Sequence, residues 1–121
     1  MHPTASLRFN LKSGPVTIDE QALRQMKDAL LSFVDGPELP APLDELRAPM
    51  KAELASSAAF IQGKTAHVGV WVLEQREDRL TLVRYPEPER KWSYIYLAAL
   101  ERIGPGWKVT SLEQEREFGP K

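Results

Sequence analysis

Side chains able to do acid–base or nucleophilic chemistry are few in this chain. There are two histidines. His2 lies at the extreme end and His67 opens a stretch with strand character. A catalytic imidazole needs a carboxylate or a nucleophile beside it. A metal site needs ligands at recurring spacing, and no HxxxH or HxH pattern is present. With no cysteine, disulfides, zinc–thiolate sites, iron–sulfur clusters and thiol nucleophiles are excluded. Gly63-Lys64-Thr65 has the ending of a phosphate-binding loop, but the required glycine five positions earlier is Ala58. It also runs from helix to strand, the reverse of the required order. Ser56-Ser57 lies among alanines at a helix end, and no GxSxG elbow exists. Glu74 follows an apolar run at Leu73, where projection into a cavity would raise its pKa. These residues imply no cofactor and no metal, and they assign no catalytic residue.

The aromatics say more. Trp71, Tyr85, Trp92, Tyr94, Tyr96 and Trp107 all fall in the second half. Trp92, Tyr94, Tyr96 and Ala98 share one face of their segment; Ser93, Ile95, Leu97 and Ala99 share the other. Val68, Val70 and Val72 likewise alternate with Gly69, Trp71 and Leu73. Two strands are thus apolar on both faces. Burying one aromatic contributes roughly 2–3 kcal/mol, so several left wet would forfeit much of a domain's stability. One face goes to a helix. The other must be covered by the Pro37–Ser57 segment folding back, by a second copy, by a ligand or by another protein.

The elements that position these residues follow from periodicity. Leu7, Phe9 and Leu11 alternate with polar residues over Ser6–Pro15, the mark of a half-buried strand. Ile18, Ala22, Leu23, Met26, Leu30, Phe33 and Val34 recur at three and four, predicting an amphipathic helix over about 18–34. Thr17 and Glu20 suit a capping box, and Gly36 is placed for the residue after the helix. Pro37–Pro49 holds four prolines and reads as a connector with a short helical turn at Leu43–Arg47. Met50, Leu54 and Ala58 suggest a second helix over about 49–57. From Ala66 the period changes to strand. "AHVGVWVLEQ", "RLTLVRY", "WSYIYLAALERI" and "WKVTSLEQEREF" read as four strands, joined by turns at Glu77–Arg79 and Gly104–Gly106 and by the charged knot "YPEPERK". The prolines of that knot give a stiff tip, kept soluble by its charges.

At 121 residues and 13.7 kDa the chain fits one domain, 1–121, with 37–49 as a connector inside it. Sixteen basic residues balance seventeen acidic ones. With no basic run, nucleic acid is disfavoured. No leader pattern and no apolar run near twenty residues is present. A soluble, cytoplasmic protein without membrane contact is expected.

Element order is therefore β-α-(α)-β-β-β-β. It predicts an α+β fold, a long N-terminal helix packed on a curved antiparallel sheet of four to five strands. That order resembles the cystatin-like roll, shared by cystatins and by proteins similar to nuclear transport factor two. The final stretch, "ERIGPGWKVTSLEQE", is similar to the last hairpin of that group. The chain starts with a strand, as cystatins do, but lacks their Gln-x-Val-x-Gly loop, and no catalytic pair of the group's enzymes matches a position here. Two functions are expected to compete. One is a non-enzymatic protein-binding module, an adaptor or immunity-type inhibitor binding a protein partner or itself as a homodimer. Its surface would centre on Trp92, Tyr94 and Tyr96, rimmed by Arg84, Arg90 and Lys91. The other is a small-molecule binder or isomerase/cyclase-like enzyme. Its apolar pocket would be lined by Met26, Phe33, Trp71 and Tyr96, with His67 or Glu74 as the acid–base group.

Overall fold

The computed structural model describes residues 5–87 and 94–115. The chain is α+β with antiparallel sheets. It opens on a hairpin, β1 (Ser6–Leu11) and β2 (Gly14–Asp19), which pairs Phe9 with Val16 and Leu7 with Ile18. The expected strand is present, but it is half of a two-stranded unit. Gly14, at φ +127, allows the chain to return after Lys12-Ser13. The helix begins later than its periodicity suggests. Val16-Thr17-Ile18 extends as strand because β-branched residues fit a half-buried pleat. The cap passes from Thr17 to Asp19, whose carboxylate accepts the Ala22 N–H at 2.8 Å.

Helix α1 (Glu20–Asp35) buries Leu23, Met26, Leu30 and Val34, a stripe spaced three, four and four. Each such burial is worth roughly 1.5–3 kcal/mol. Gly36 follows with extended backbone rather than the left-handed turn its type suggested. The exposed carbonyls at this end are met instead by Arg47. Its Nη1 donates to Val34 O at 2.6 Å and Gly36 O at 2.9 Å. Arg47 starts α2 (Arg47–Ala55), which continues a 3-10 segment (Ala41–Leu46). Leu43, Leu46, Met50 and Leu54 are buried along this stretch. Lys27 of α1 donates to Ser57 O at 2.7 Å and fixes the end of α2.

The second sheet has six strands where four to five were expected. They are β3 (Ala59–Gln62), β4 (Thr65–Val68), β5 (Trp71–Arg76), β6 (Arg79–Arg84), β7 (Ile95–Ile103) and β8 (Gly106–Glu115), paired strictly in order. The extra strands have two sources. Phe60 and Ile61 begin β3, with Gly63-Lys64 as the turn into β4. The run "AHVGVWVLEQ" is broken at Gly69-Val70, so Val68 pairs with Trp71 instead of continuing to Val72. Gly69 is required there twice over. Its φ is +58, and an added Cβ would stand 2.3 Å from Ser57 Oγ. Its N–H donates to Ala58 O at 2.8 Å, holding the β4–β5 turn against the end of α2. A bulge at Ala99/Leu100 opposite β8 makes Val109 and Leu112 both face the core. One hydrophobic cluster draws on the hairpin, the helices and one face of the six-stranded sheet. Helix α1 contacts β8 at one edge of that sheet and β3 and β4 at the other. No helix among the described residues is long and apolar enough to cross a membrane.

Candidate functional site

Alternation divides the large sheet into two faces. Trp71 and Leu73, Leu80, Leu82 and Arg84, and Tyr96, Ala98 and Leu100 are buried on the helix side. Val72, Glu74 and Arg76, Thr81 and Val83, and Ile95, Leu97 and Ala99 lie on the other, together with Ser111, Glu113 and Glu115. The chemistry of each face centres on one glutamate.

On the helix side that glutamate is Glu53 of α2. It lies on the same helical stripe as Met50 and Leu54, so it points at the sheet. Arg84, only 1% exposed, donates from Nε and Nη2 to both carboxylate oxygens at 2.7–3.1 Å. Trp71 Nε1 donates to the same carboxylate at 3.0 Å. Arg84 also donates from Nη1 to Tyr85 O at 2.8 Å and from Nη2 to Glu87 Oε1 at 3.0 Å. A guanidinium this buried needs such a partner set, since burial of an unpaired charge costs several kcal/mol. This cluster is a fastening between α2 and the sheet.

On the outer face the glutamate is Glu74. The Tyr85 hydroxyl donates to Glu74 Oε2. Arg76 Nε stands 3.5 Å from Glu74 Oε1, and its Nη1 lies 3.9 Å from Glu115. Glu74 pairs with Thr81, four residues before Tyr85, so the Tyr85 side chain runs along β6 past Val83 to reach it. Val83 is fully buried while standing apart from the main core cluster. The hydrogen bond to Glu74, with burial, pushes the Tyr85 pKa up; Arg76 opposes the shift. In that bond the phenol is the donor and the carboxylate the acceptor. Arg76 is itself shifted up, since Tyr85, Glu74 and Glu115 together outweigh its burial. Phe60 and His67, opposite one another on β3 and β4, stack at 4.8 Å. Thr65 Oγ1 lies 2.7 Å from His67 Nε2. Phe60, Val70 and Tyr85 are 37%, 48% and 41% exposed.

Several sequence expectations change here. Tyr96 is 2% exposed and sits in the core, so it offers no binding surface. Burial pushes its pKa up, with Tyr94 and Glu45 adding to the shift. Glu45 belongs to the 3-10 segment and Glu53, paired with Arg84 opposite Tyr96, belongs to α2. The chain's own 41–55 segment thus covers the face that seemed to need a partner. Tyr94 is half-buried against the same core. Arg84 is not a rim residue but the buried cation of that face. Its register with Leu80 and Leu82 was the signal for this. Trp92, Arg90 and Lys91 lie outside the described residues. The expected pocket is not assembled. Met26 and Trp71 are fully buried in the core, while His67 and Glu74 lie on the opposite side of the sheet. Phe33 lines a cleft of about 320 Å³ with Trp107 and Val109 instead. Among the described residues no cluster of three metal-ligating side chains exists. Tyr85, Arg76 and Glu115 went unassigned in the sequence because their meeting depends on strand register.

Comparison with known proteins finds no matching family model, no matching curated protein and no matching solved structure.

Proposed function

We propose that the protein is a non-enzymatic protein-binding module acting through the outer face of the six-stranded sheet. One observation carries the reading: this face combines exposed apolar side chains with a polar cluster already hydrogen-bonded in place. Phe60 and Tyr85 supply apolar contact area, flanked by half-buried Val72, Ile95 and Leu97. Tyr and Arg are enriched where interfaces concentrate their energy. Here Tyr85 is held by its hydrogen bond to Glu74, and Arg76 stands in ion-pair range of Glu74 and Glu115, which lowers the side-chain entropy left to lose on binding. The phenol donates to Glu74 and His67 is stacked on Phe60, which fits recognition better than proton transfer. This is the behaviour of an adaptor or an inhibitor. The element order, with α1 touching both edges of the sheet, supports a helix held in a curved sheet, the cystatin-like roll.

The test is site-specific crosslinking. A photoreactive phenylalanine analogue replaces Leu97 in one variant and Asp28, on the exposed side of α1, in another. Discrete crosslinked protein species are expected from position 97, and they should disappear when Val72→Asp is added. Equal labelling from both positions would sink the reading.

A further inference from the structure

Beyond that reading, we propose that the cleft at the C-terminal end of α1 is a small-molecule site for a protonated amine with an apolar body. The cleft lies between α1 and β8 and holds about 320 Å³, within the range of small-ligand sites. Its walls are apolar. Phe33 and Trp107 are half-buried and pack on the core cluster, and Val109 is buried. Its helix end is rich in acceptors. The Gly36 N–H goes to Phe33 O at 3.2 Å instead of to Ser32 O, and Pro37 has no N–H to offer. Arg47 takes the carbonyls of Val34 and Gly36. The Ser32 carbonyl therefore receives no backbone N–H from this turn, at the negative end of the helix dipole. Ser32 and Gly36 both line the cleft. Glycine keeps that carbonyl uncovered, since an added Cβ would stand 3.1 Å from Ser32 O. Glu38 lines the same cleft and makes no ion pair among the described residues.

Trp107 adds a π surface. Arg102, its cross-strand partner, holds its guanidinium 5.8 Å from the ring centroid, so the ring already accepts one cation. Arg102 lines the neighbouring cavities that share Trp107 but not this cleft. The ring surface turned to the cleft is thus a different one. A cation between Trp107 and Glu38 meets an aromatic quadrupole, a carboxylate and a helix C-terminus, and each favours positive charge. Lys108 also borders the cleft, but alternation with Trp107 and Val109 directs its side chain to the outer face of β8. The apolar body of the ligand is left to Phe33, Trp107 and Val109.

The experiment is a titration of the isotope-labelled full chain with three probes of one shape, followed by amide and indole NMR shifts. The probes are phenethylamine, phenethyl alcohol and hydrocinnamate, a cation, a neutral molecule and an anion. Circular dichroism confirms that each variant folds. The amine is expected to bind with a Kd of about 1 mM, as suits a ligand of its size. It should bind about fivefold tighter than the alcohol, with hydrocinnamate weaker still. The shifts should concentrate at Phe33, Gly36, Trp107 and Val109. Glu38→Gln should weaken the amine about threefold and leave the alcohol within about twofold. Gly36→Ala, which covers Ser32 O, should weaken the amine about twofold. Equal binding of amine and alcohol overturns the proposal. So do an amine affinity that ignores Glu38→Gln, shifts centred elsewhere, and no shifts up to about 20 mM amine. A blocked lysine, N-acetyl-lysine-methylamide, that binds more tightly than phenethylamine would assign the cleft to a protein side chain and overturn the small-molecule site. None of these failures touches the outer-face reading, because the cleft lies on the helix side.

Discussion

Arg84 and Tyr85 are neighbours in the chain and belong to the two faces of one sheet. The chemistry around them is nearly the same. On the helix side an arginine and an aromatic donor, Arg84 and Trp71, converge on Glu53. On the outer side Arg76 and Tyr85 converge on Glu74. Environment separates them. Arg84 is 1% exposed and Arg76 about a third exposed. Where water is excluded the trio is a structural commitment, because losing Glu53 or Arg84 strands the charge of the other. Where water reaches it, the same trio costs little to keep and contributes little to stability.

The largest effect should come from breaking the buried trio. Glu53→Ala or Arg84→Ala should cost about 3–5 kcal/mol, read as a fall in the urea midpoint at constant slope. Replacing both partners, Glu53→Leu with Arg84→Met, should recover most of that loss. A double variant as unstable as the singles would show that the ion pair does more than satisfy itself.

Next in size is Gly69→Ala. A left-handed residue other than glycine costs about 1–2 kcal/mol, and its Cβ would collide with Ser57. Because this turn holds the end of α2, the variant should also loosen Glu53. Faster hydrogen exchange at the Trp71 indole should accompany the stability loss.

The outer trio should respond weakly. Tyr85→Phe should cost under about 1 kcal/mol, since it removes a single exposed hydrogen bond. Glu74→Gln should bring one raised tyrosine ionisation back toward the ordinary value of about 10, followed by ultraviolet absorbance. The sign for stability follows. Tyr85 and Tyr96 have folded pKa values above their unfolded ones, so their contribution is intact below about pH 10 and is lost as pH rises through the folded values. If Glu74→Gln left the alkaline limb of the stability curve unchanged, the Tyr85–Glu74 bond would carry none of it.

The smallest effect lies outside both trios. Lys51, donating to Asp35 at 2.6 Å, lowers the Asp35 pKa. A lowered acid contributes stability above its ordinary value of 3.8 and loses it as pH falls through the folded value. Lys51→Met should therefore trim the acid limb slightly, and only at low salt, because both groups are exposed.

Much of the fold was legible. Spacing of three and four marked α1 to within two residues at its start and one at its end. The turns at Glu77–Arg79 and Gly104–Gly106 were visible as turn chemistry, although Arg79 and Gly106 already belong to the strands that follow. The missed elements have local causes. In β2, Val16-Thr17-Ile18 could serve a helix start or a strand, and the hairpin partner decided it. The division of β4 from β5 hung on a single glycine whose role is to clear Ser57, a contact invisible in one dimension. Of the candidate site, Glu74 was noticed for its place after an apolar run. Its partners were not, because Tyr85, Arg76 and Glu115 meet through register and not through spacing.

By itself the sequence determined that the segment around Tyr96 is apolar on both faces, that an amphipathic helix spans about 18–34, and that no cysteine and no HxH or HxxxH spacing is present. These follow from composition and period alone. Tertiary structure decided which face is which. Alternation says that Tyr96 and Leu97 point opposite ways, but not which way is in. The answer came from where α2 lands, and that is set by Gly69, Lys27 and the Glu53–Arg84 pair acting across the fold. The tyrosine face became core, and the Leu97 face became the outer side of the sheet.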